Sequence, residues 1–217
     1  TATDHTFDII SQYNDKRIQI IRNDTNIGIA ASLNKGLSMA DSIYVARMDG
    51  DDISKPTRFD KQLAYMKSNS NLGILGSHME IINENGIVTK EQRKAISFIN
   101  IKIGLFFGRT SLAHPSLLIK KSVLDKYHLR YDSAFQYAED YDLYCRASQY
   151  VKFDNYTECL VQYRIHSESV SQKFHEQQIL DAKLALFLHL RRINFPINMQ
   201  DFRTCLLYTS DAADDRI

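Results

Sequence analysis

The fold of this 217-residue chain is decided by residues 43–52, which read IYVARMDGDD. The first four residues are apolar and a glycine follows soon after, so the pattern predicts a short buried strand. Three carboxylates, those of Asp49, Asp51 and Asp52, stand at the carboxyl end of that strand. Open α/β sheets bind their ligands at this edge, so the stretch predicts both a sheet and the place of its site.

The three carboxylates repel one another unless a cation neutralises their charge. If the segment stays extended, Asp49 and Asp51 point the same way and leave room for one divalent ion with oxygen ligands. Such an ion, with several water positions still open, suits a diphosphate. The alternative interpretation is a solvated Asp-Gly turn without a ligand.

The residues before this strand have the order of a βαβ unit. Residues 18–23 alternate and are rich in isoleucine, residues 24–28 have turn composition, and residues 29–39 carry apolar side chains at helical spacing. A strand, a helix and a second strand predict a parallel pair with a right-handed crossover.

Further motifs stand on both sides of the acidic stretch. They are Asn26-x-Gly28-x-Ala30-x-x-Leu33-Asn34-x-Gly36, Pro56-x-Arg58 with Gln62, Ala138-Glu139-Asp140-Tyr141-Asp142-Leu143, and Tyr163-Arg164-Ile165-His166 with Ser169-Val170-Ser171. With residues 46–52, these motifs resemble those of bacterial family 2 glycosyltransferases of the GT-A fold. The resemblance extends over roughly residues 2–171 and is far more specific than a lone Asp-x-Asp.

The resemblance implies an α/β fold of the GT-A (Rossmann-like) type, with a mixed, mostly parallel sheet flanked by helices. The family's first βαβ unit, about 40 positions, has no counterpart here, so residues 1–172 are expected to form an incomplete domain. An amphipathic helical extension is expected over 173–204. Residues 205–217 resemble a translated sequencing adapter and are interpreted as a non-native tail. We expect this fragment by itself to be inactive and marginally stable.

The implied reaction is transfer of a single sugar, with inversion, from a nucleotide diphosphate sugar to a saccharide or lipid-linked acceptor in cell-surface polysaccharide synthesis. A UDP-sugar is the expected donor and Mn²⁺ or Mg²⁺ the expected cofactor. The chain has no Trp, and the tryptophan motif of processive synthases is therefore absent, which favours single transfers. The alternatives are a nucleotidyltransferase and a non-catalytic carbohydrate-binding remnant of the same fold.

The resemblance also assigns roles to individual residues on the donor side. By its motifs, the metal is held by Asp51, Asp49 and His166, and the donor is bound by Asp49, Arg47, Asn34, His166 and Arg164. A lone loop histidine is otherwise more often polar surface.

On the acceptor side, Asp140 is the candidate general base, because a hydroxyl nucleophile needs a group that takes its proton. Glu139 is the alternative base or an acceptor-positioning group. The other interpretation of both carboxylates is a cap at the start of a helix, where acidic residues are favoured. His114 is a candidate acceptor-binding residue, with a simple turn before a strand as the alternative.

The composition narrows the classes of protein. A formal net charge of +1 and dispersed Lys and Arg argue against nucleic-acid binding. The three cysteines lack metal or redox spacing, which favours a reducing cytoplasm. Residues 174–193 predict one long amphipathic helix that packs on the domain, pairs with a partner or contacts the inner face of the plasma membrane.

Overall fold

The computed structural model describes residues 5–166, 173–200 and Phe202, and it has an α/β architecture. The described α-helices are α1 (Thr6–Ser11), α2 (Gly28–Met39), α3 (Arg58–Ser68), α4 (Phe98–Phe106), α5 (Lys121–Lys126), α6 (Glu139–Ala147) and α7 (His175–Arg192). The described strands are β1 (Tyr44–Ala46), β2 (Ile53–Ser54), β3 (Leu72–Ile82), β4 (Val88–Gln92), β5 (Leu118–Lys120) and β6 (Lys152–Arg164).

The described strands form one mixed sheet in the order β1-β5-β3-β6-β2, and β4 also pairs with β3. Strand β3 is the centre of this sheet and is buried along almost all of its length. Its Gly76 permits a close approach, because a Cβ atom there would lie 2.2 Å from the Oδ1 atom of Asn155 on β6. The long β3 and β6 therefore run tightly side by side.

Helices cover both faces of the sheet. Ile74 of β3 packs into the larger core cluster with Ile101 of α4, Tyr144 of α6 and Phe153 of β6. The next residue, Leu75, faces the opposite side and packs with Met66 of α3 in a smaller cluster. Alternation along one central strand thus supplies both layers of the core.

Several predicted elements are present. The turn signal of residues 83–86, Asn-Glu-Asn-Gly, predicts a hairpin, and these residues join β3 and β4, which pair in antiparallel register. The helices predicted at residues 29–39 and 174–193 correspond to α2 and α7, and the apolar residues 96–107, whose pattern also predicts a helix, contain α4. Helix α7 packs against α4 and α6, and Arg192 at its end bonds to the buried Asp142 of α6. Among the described residues, none of the helices has the length and apolar character that crossing a membrane requires.

The strand predicted at residues 18–23 is wrong. Ile18 and Ile20 are 44% and 45% exposed, and none of the described strands pairs with this segment. An alternating pattern becomes a strand only where a neighbour completes the backbone hydrogen bonds, and the described partner of β1 is β5. The parallel pair expected between this segment and β1 is therefore absent from the described structure.

The mixed α/β sheet is as predicted, but its expected mostly parallel character does not hold for the described strands. Parallel pairing joins β3 and β6, whereas the other four pairings are antiparallel. Strand direction depends on how the chain returns to the sheet, and β4 returns through a hairpin.

Candidate functional site

The acidic cluster of Asp49, Asp51 and Asp52 follows β1, as the sequence predicts. Its members have different surroundings, since the side chains of Asp49 and Asp51 are 32% and 46% exposed while Asp52 is buried. The Oδ1 atom of Asp52 accepts a hydrogen bond of 2.9 Å from the backbone N–H of Arg164, and its Oδ2 atom has no hydrogen-bond partner among the described residues. Burial raises the pKa of Asp52 to about 6, against the opposing effect of this hydrogen bond. Asp52 therefore anchors the end of β6 beside the cluster.

A buried network fixes the backbone at the start of the cluster. The guanidinium of Arg58 donates to the carbonyl of Arg47 at 2.8 Å and to that of Leu117 at 3.2 Å. Gln62, one turn later on α3, accepts from Arg58 and donates to the Ser116 carbonyl at 2.8 Å. Arg58 thus holds two backbone segments together by their carbonyl groups.

Arg47 interacts electrostatically with two acidic groups of the site. Its side chain is 9% exposed and donates to the carboxylate of Asp49. Its positive charge also lowers the pKa of Glu139 and of Asp140, although burial is the larger effect and raises the pKa of both. The same guanidinium therefore pairs with the cluster after β1, and its charge acts on the acidic pair at the start of α6.

The acidic pair occupies the first turn of α6. Burial, assisted by the charge of Asp140, raises the pKa of the 6% exposed Glu139 to about 7. Burial also raises the pKa of Asp140, which is partly exposed, while the Tyr141 amide and the charges of Arg47 and Lys94 oppose the shift. The Asp140 Oδ1 atom accepts the Tyr141 N–H at 2.7 Å. The capping interpretation and a proton-accepting role are thus compatible, because Oδ2 is not used by that bond.

A wall of aromatic and imidazole rings stands beside the acidic pair. The Nε2 atom of the buried His114 lies 2.8 Å from the hydroxyl of Tyr131, and the His114 ring meets Tyr144 edge-on at 6.4 Å. Burial, assisted by the charge of Arg47, holds the pKa of His114 well below its usual range, so the ring stays neutral. The Tyr144 hydroxyl is buried and has no described hydrogen-bond partner. The site wall thus carries a neutral imidazole and one unused hydroxyl.

Asn34 reaches this wall from α2. Its Nδ2 atom donates to the Tyr131 carbonyl at 2.8 Å, and its Oδ1 atom accepts the Tyr131 N–H at 2.9 Å. Both ends of the amide are therefore used in positioning the segment that bears Tyr131. The donor-binding role that the motif implies for Asn34 stays a prediction.

Arg164 and His166 follow β6 and reach the other side of the cluster. The Arg164 guanidinium donates to three backbone carbonyls, those of Asp51, Asn83 and Glu84, at 2.9 to 3.1 Å. The guanidinium therefore links the acidic cluster to the β3–β4 hairpin. The donor-binding role that the motif implies for Arg164 stays a prediction. The other part of that motif, residues 169–171, lies outside the described residues.

Of the three residues predicted to bind the metal, Asp51 and His166 lie close together, whereas Asp49 pairs with Arg47. The His166 Nε2 atom lies 3.3 Å from the Asp51 Oδ2 atom, with the two side chains 30% and 46% exposed. Asp49 instead turns to Arg47, and no group of three metal-ligating side chains converges among the described residues. A divalent cation held here would take Asp51 and His166 as two of its ligands and the rest from a diphosphate and water, and this metal-binding role stays a prediction.

The comparisons with known proteins decide the family. Residues 1–128, more than half of the chain, match the model of glycosyl transferase family 2. The chain belongs to glycosyl transferase family 2. It is 40% identical over 163 residues to an uncharacterized glycosyltransferase of Methanocaldococcus jannaschii, which covers 73% of this chain and 55% of that protein.

Two further comparisons place this family 2 chain. It is 36% identical over 162 residues to the O-antigen biosynthesis glycosyltransferase WbnJ of Escherichia coli, covering 73% of this chain and 61% of that protein. The structure of residues 1–349 of S. aureus TarS in complex with UDP-GlcNAc matches with a TM-score of 0.69 and 16% identity, covering 93% of this chain and 58% of that one. That likeness shows the GT-A fold alone. The chain spans a little over half the length of these proteins.

Some residues of the family 2 site have no signal in the sequence. Lys94 follows β4, and its positive charge lowers the pKa of Asp140. It belongs to a polar run of the sequence that contains no recognisable motif. Tyr131 and Tyr144 line the site through contacts across 17 and more residues, which no local pattern reveals.

Proposed function

We propose that the protein to which this chain belongs transfers a single sugar, with inversion, from a UDP-sugar to a saccharide or lipid-linked acceptor in cell-surface polysaccharide synthesis. The family match supports sugar transfer over the nucleotidyltransferase alternative. The relation to an O-antigen biosynthesis glycosyltransferase supports a surface polysaccharide as the product.

The observation that carries the proposal is the presence of two acidic groups that both interact with the charge of Arg47, one through an ion pair and one through its pKa values. One group, after β1, offers partly exposed carboxylates at the carboxyl end of that strand. The other, at the start of α6, offers carboxyls whose pKa is raised by burial. A leaving diphosphate needs the first kind of group, through a cation, and a hydroxyl nucleophile needs the second.

Asp51 and His166 are the residues that would hold the cation, with Asp49 beside them. When bound, Mn²⁺ or Mg²⁺ would offset the charge that develops on the diphosphate as the sugar departs. Arg47 forms an ion pair with Asp49, and its charge lowers the pKa of Glu139 and of Asp140.

Asp140 is proposed to take the proton of the acceptor hydroxyl at its Oδ2 atom. A base works best when its pKa lies near the working pH, and burial moves the pKa of Asp140 upward in that direction. Attack from the face opposite the leaving diphosphate inverts the anomeric carbon. Glu139 is more deeply buried than Asp140 and remains the alternative base.

The test is Mn²⁺-dependent consumption of UDP-sugars by the longest reading frame that contains this chain. Release of UDP is followed for a panel of UDP-sugars with Mn²⁺, with Mg²⁺ and with EDTA. Release that requires a divalent cation and is lost in Asp51→Asn supports the proposal, whereas Asp60→Asn on the exposed start of α3 serves as the matched control. Absence of release with every donor would favour the non-catalytic remnant.

A further inference from the structure

Helix α4 is apolar on the face that meets solvent as well as on the face that meets the core. Ile101 and Leu105 are 0% and 1% exposed, whereas Ile99, Ile103 and Phe107 are 71%, 51% and 68% exposed. The three exposed residues are spaced by four and therefore form one stripe along the helix and its end. A contiguous row of exposed apolar side chains often marks a surface that another molecule covers, so this apolar stripe indicates such a surface.

Aromatic rings extend the apolar stripe toward the end of α7. The Phe106 ring meets Phe107 edge-on at 5.2 Å and meets Phe195 in the same manner at 5.2 Å. Phe195 is itself 42% exposed. The stripe is therefore continuous across two separate segments of the chain.

A groove rich in lysine borders the stripe at Lys102. The groove has a volume of about 610 Å³ and is lined by Lys102, Lys120, Lys126 and Lys152. None of the described residues that line it is acidic. We call this feature the lysine groove.

The cations of the lysine groove are not neutralised within the described structure. Lys102 and Lys126 lie over the rings of Phe98 and Tyr127, at 5.4 and 5.1 Å from the ring centres, and Lys120 donates to a backbone carbonyl. The ion pairs formed by described lysines involve other positions on the surface. In a chain with a net charge of +1, four such cations in one groove attract an anionic partner.

We propose that the apolar stripe of α4 and the lysine groove together dock on an anionic lipid bilayer. The stripe would lie at the level of the lipid headgroups and the lysines would contact lipid phosphates, the combination that holds interfacial helices on membranes. Charge complementarity selects this occupant over a second copy of the chain, which would bring the same lysines to the interface.

The position of α4 connects this surface with the acceptor side of the site. The Tyr141 hydroxyl of α6 donates to the Leu105 carbonyl of α4 at 2.5 Å, so α4 lies directly behind the helix that begins with the acidic pair. On the proposed function, this arrangement would bring a lipid-linked acceptor close to Asp140. Lipid binding itself does not depend on that function, and it is measured without any turnover.

The experiment is co-sedimentation of the 217-residue chain with vesicles of phosphatidylcholine alone or mixed with phosphatidylglycerol. The stripe variant is Ile99→Ser with Ile103→Ser and Phe107→Ser, and the groove variant is Lys102→Gln with Lys126→Gln and Lys152→Gln. The stripe control is Leu180→Ser with Leu184→Ser, which removes exposed apolar residues of α7. The charge control is Lys16→Gln with Lys35→Gln and Lys90→Gln, all exposed and none of them lining the groove.

Binding is expected with phosphatidylglycerol vesicles and is expected to weaken at high salt. The stripe variant should lower the partition coefficient by about tenfold or more, and each lysine removed from the groove by about fivefold, with both controls close to the parent chain. Circular dichroism of each variant verifies that the fold is kept. The proposal is overturned if neither vesicle is bound, if the α7 control loses as much binding as the stripe variant, or if the stripe variant only converts a dimer to a monomer.

Discussion

Replacing Glu139 by Gln should stabilise the folded chain at alkaline pH and leave it nearly unchanged at acid pH. Burial, assisted by Asp140, raises the pKa of Glu139 from 4.5 to about 7. At about 1.36 kcal/mol for each tenfold change in proton affinity, this shift corresponds to about 3 kcal/mol. The ionised carboxylate therefore destabilises the folded state. An uncharged amide of similar size removes this destabilisation.

The sign follows from where each state binds its proton. Below about pH 4.5 the carboxyl is protonated in both states and has no differential effect. As the pH rises toward 7, the unfolded state releases its proton first, so the free energy of unfolding of the parent chain falls. Above pH 7 the full difference is present, and Glu139→Gln should exceed the parent by about 3 kcal/mol.

The assay is urea denaturation of the parent and the variant at several values between pH 4.5 and pH 8, with the difference in unfolding free energy plotted against pH. The matched control is Glu158→Gln, because the ion pair with Lys61 lowers the pKa of Glu158 and gives the opposite sign. A difference for Glu139→Gln that is constant with pH, or a variant less stable than the parent at pH 8, would refute the reasoning.

Three further outcomes are expected. Asp51→Asn and His166→Ala should each weaken Mn²⁺ binding in the presence of UDP by about tenfold or more, measured by electron paramagnetic resonance, whereas equal Mn²⁺ binding in all chains would remove these residues as ligands. Asp142→Asn should lower the unfolding free energy by about 3 kcal/mol, because Asp142 is fully buried between Arg146 and Arg192, while Asp125→Asn in a surface ion pair should change it by less than about 1 kcal/mol. Asn34→Ala should lower the free energy of unfolding by about 2 kcal/mol, because it removes two hydrogen bonds to the Tyr131 backbone. Asn100→Ala, which removes a single exposed hydrogen bond, should lower it by less, and equal losses would contradict a structural role of Asn34.

Local pattern was sufficient for the elements whose signal is confined to neighbouring residues. The hairpin between β3 and β4 follows from its Asn-Glu-Asn-Gly turn, and α4 and α7 follow from apolar spacing. The strand expected at residues 18–23 had the same kind of signal and did not form. A strand also requires a partner, and pairing between distant segments is not visible in a local pattern.

In the candidate site too, local signals were predictable from the sequence and contacts between distant segments were not. The motifs place the acidic cluster at the end of β1 and the acidic pair at the start of α6, and the charge of Arg47 acts on both, while the roles assigned to these carboxylates stay predictions. The sequence did not reveal the hydrogen-bond partners of Arg164 and Asn34. The Arg164 guanidinium bonds to backbone carbonyls of the cluster and the hairpin, and the Asn34 amide bonds to the Tyr131 backbone. Such partners lie 80 to 113 residues apart in sequence and carry no signature of their own.

The proposal that two acidic groups divide donor binding and proton transfer is tested most directly by Asp140→Asn in the longest reading frame that contains this chain. Donor affinity is measured by calorimetry with Mn²⁺, and sugar transfer is measured on the same preparation. The expected result is a loss of transfer by about 10² to 10⁴-fold with the donor dissociation constant unchanged, as for removal of a general base. Retention of most of the transfer activity, or a parallel loss of donor binding, would contradict the division of roles.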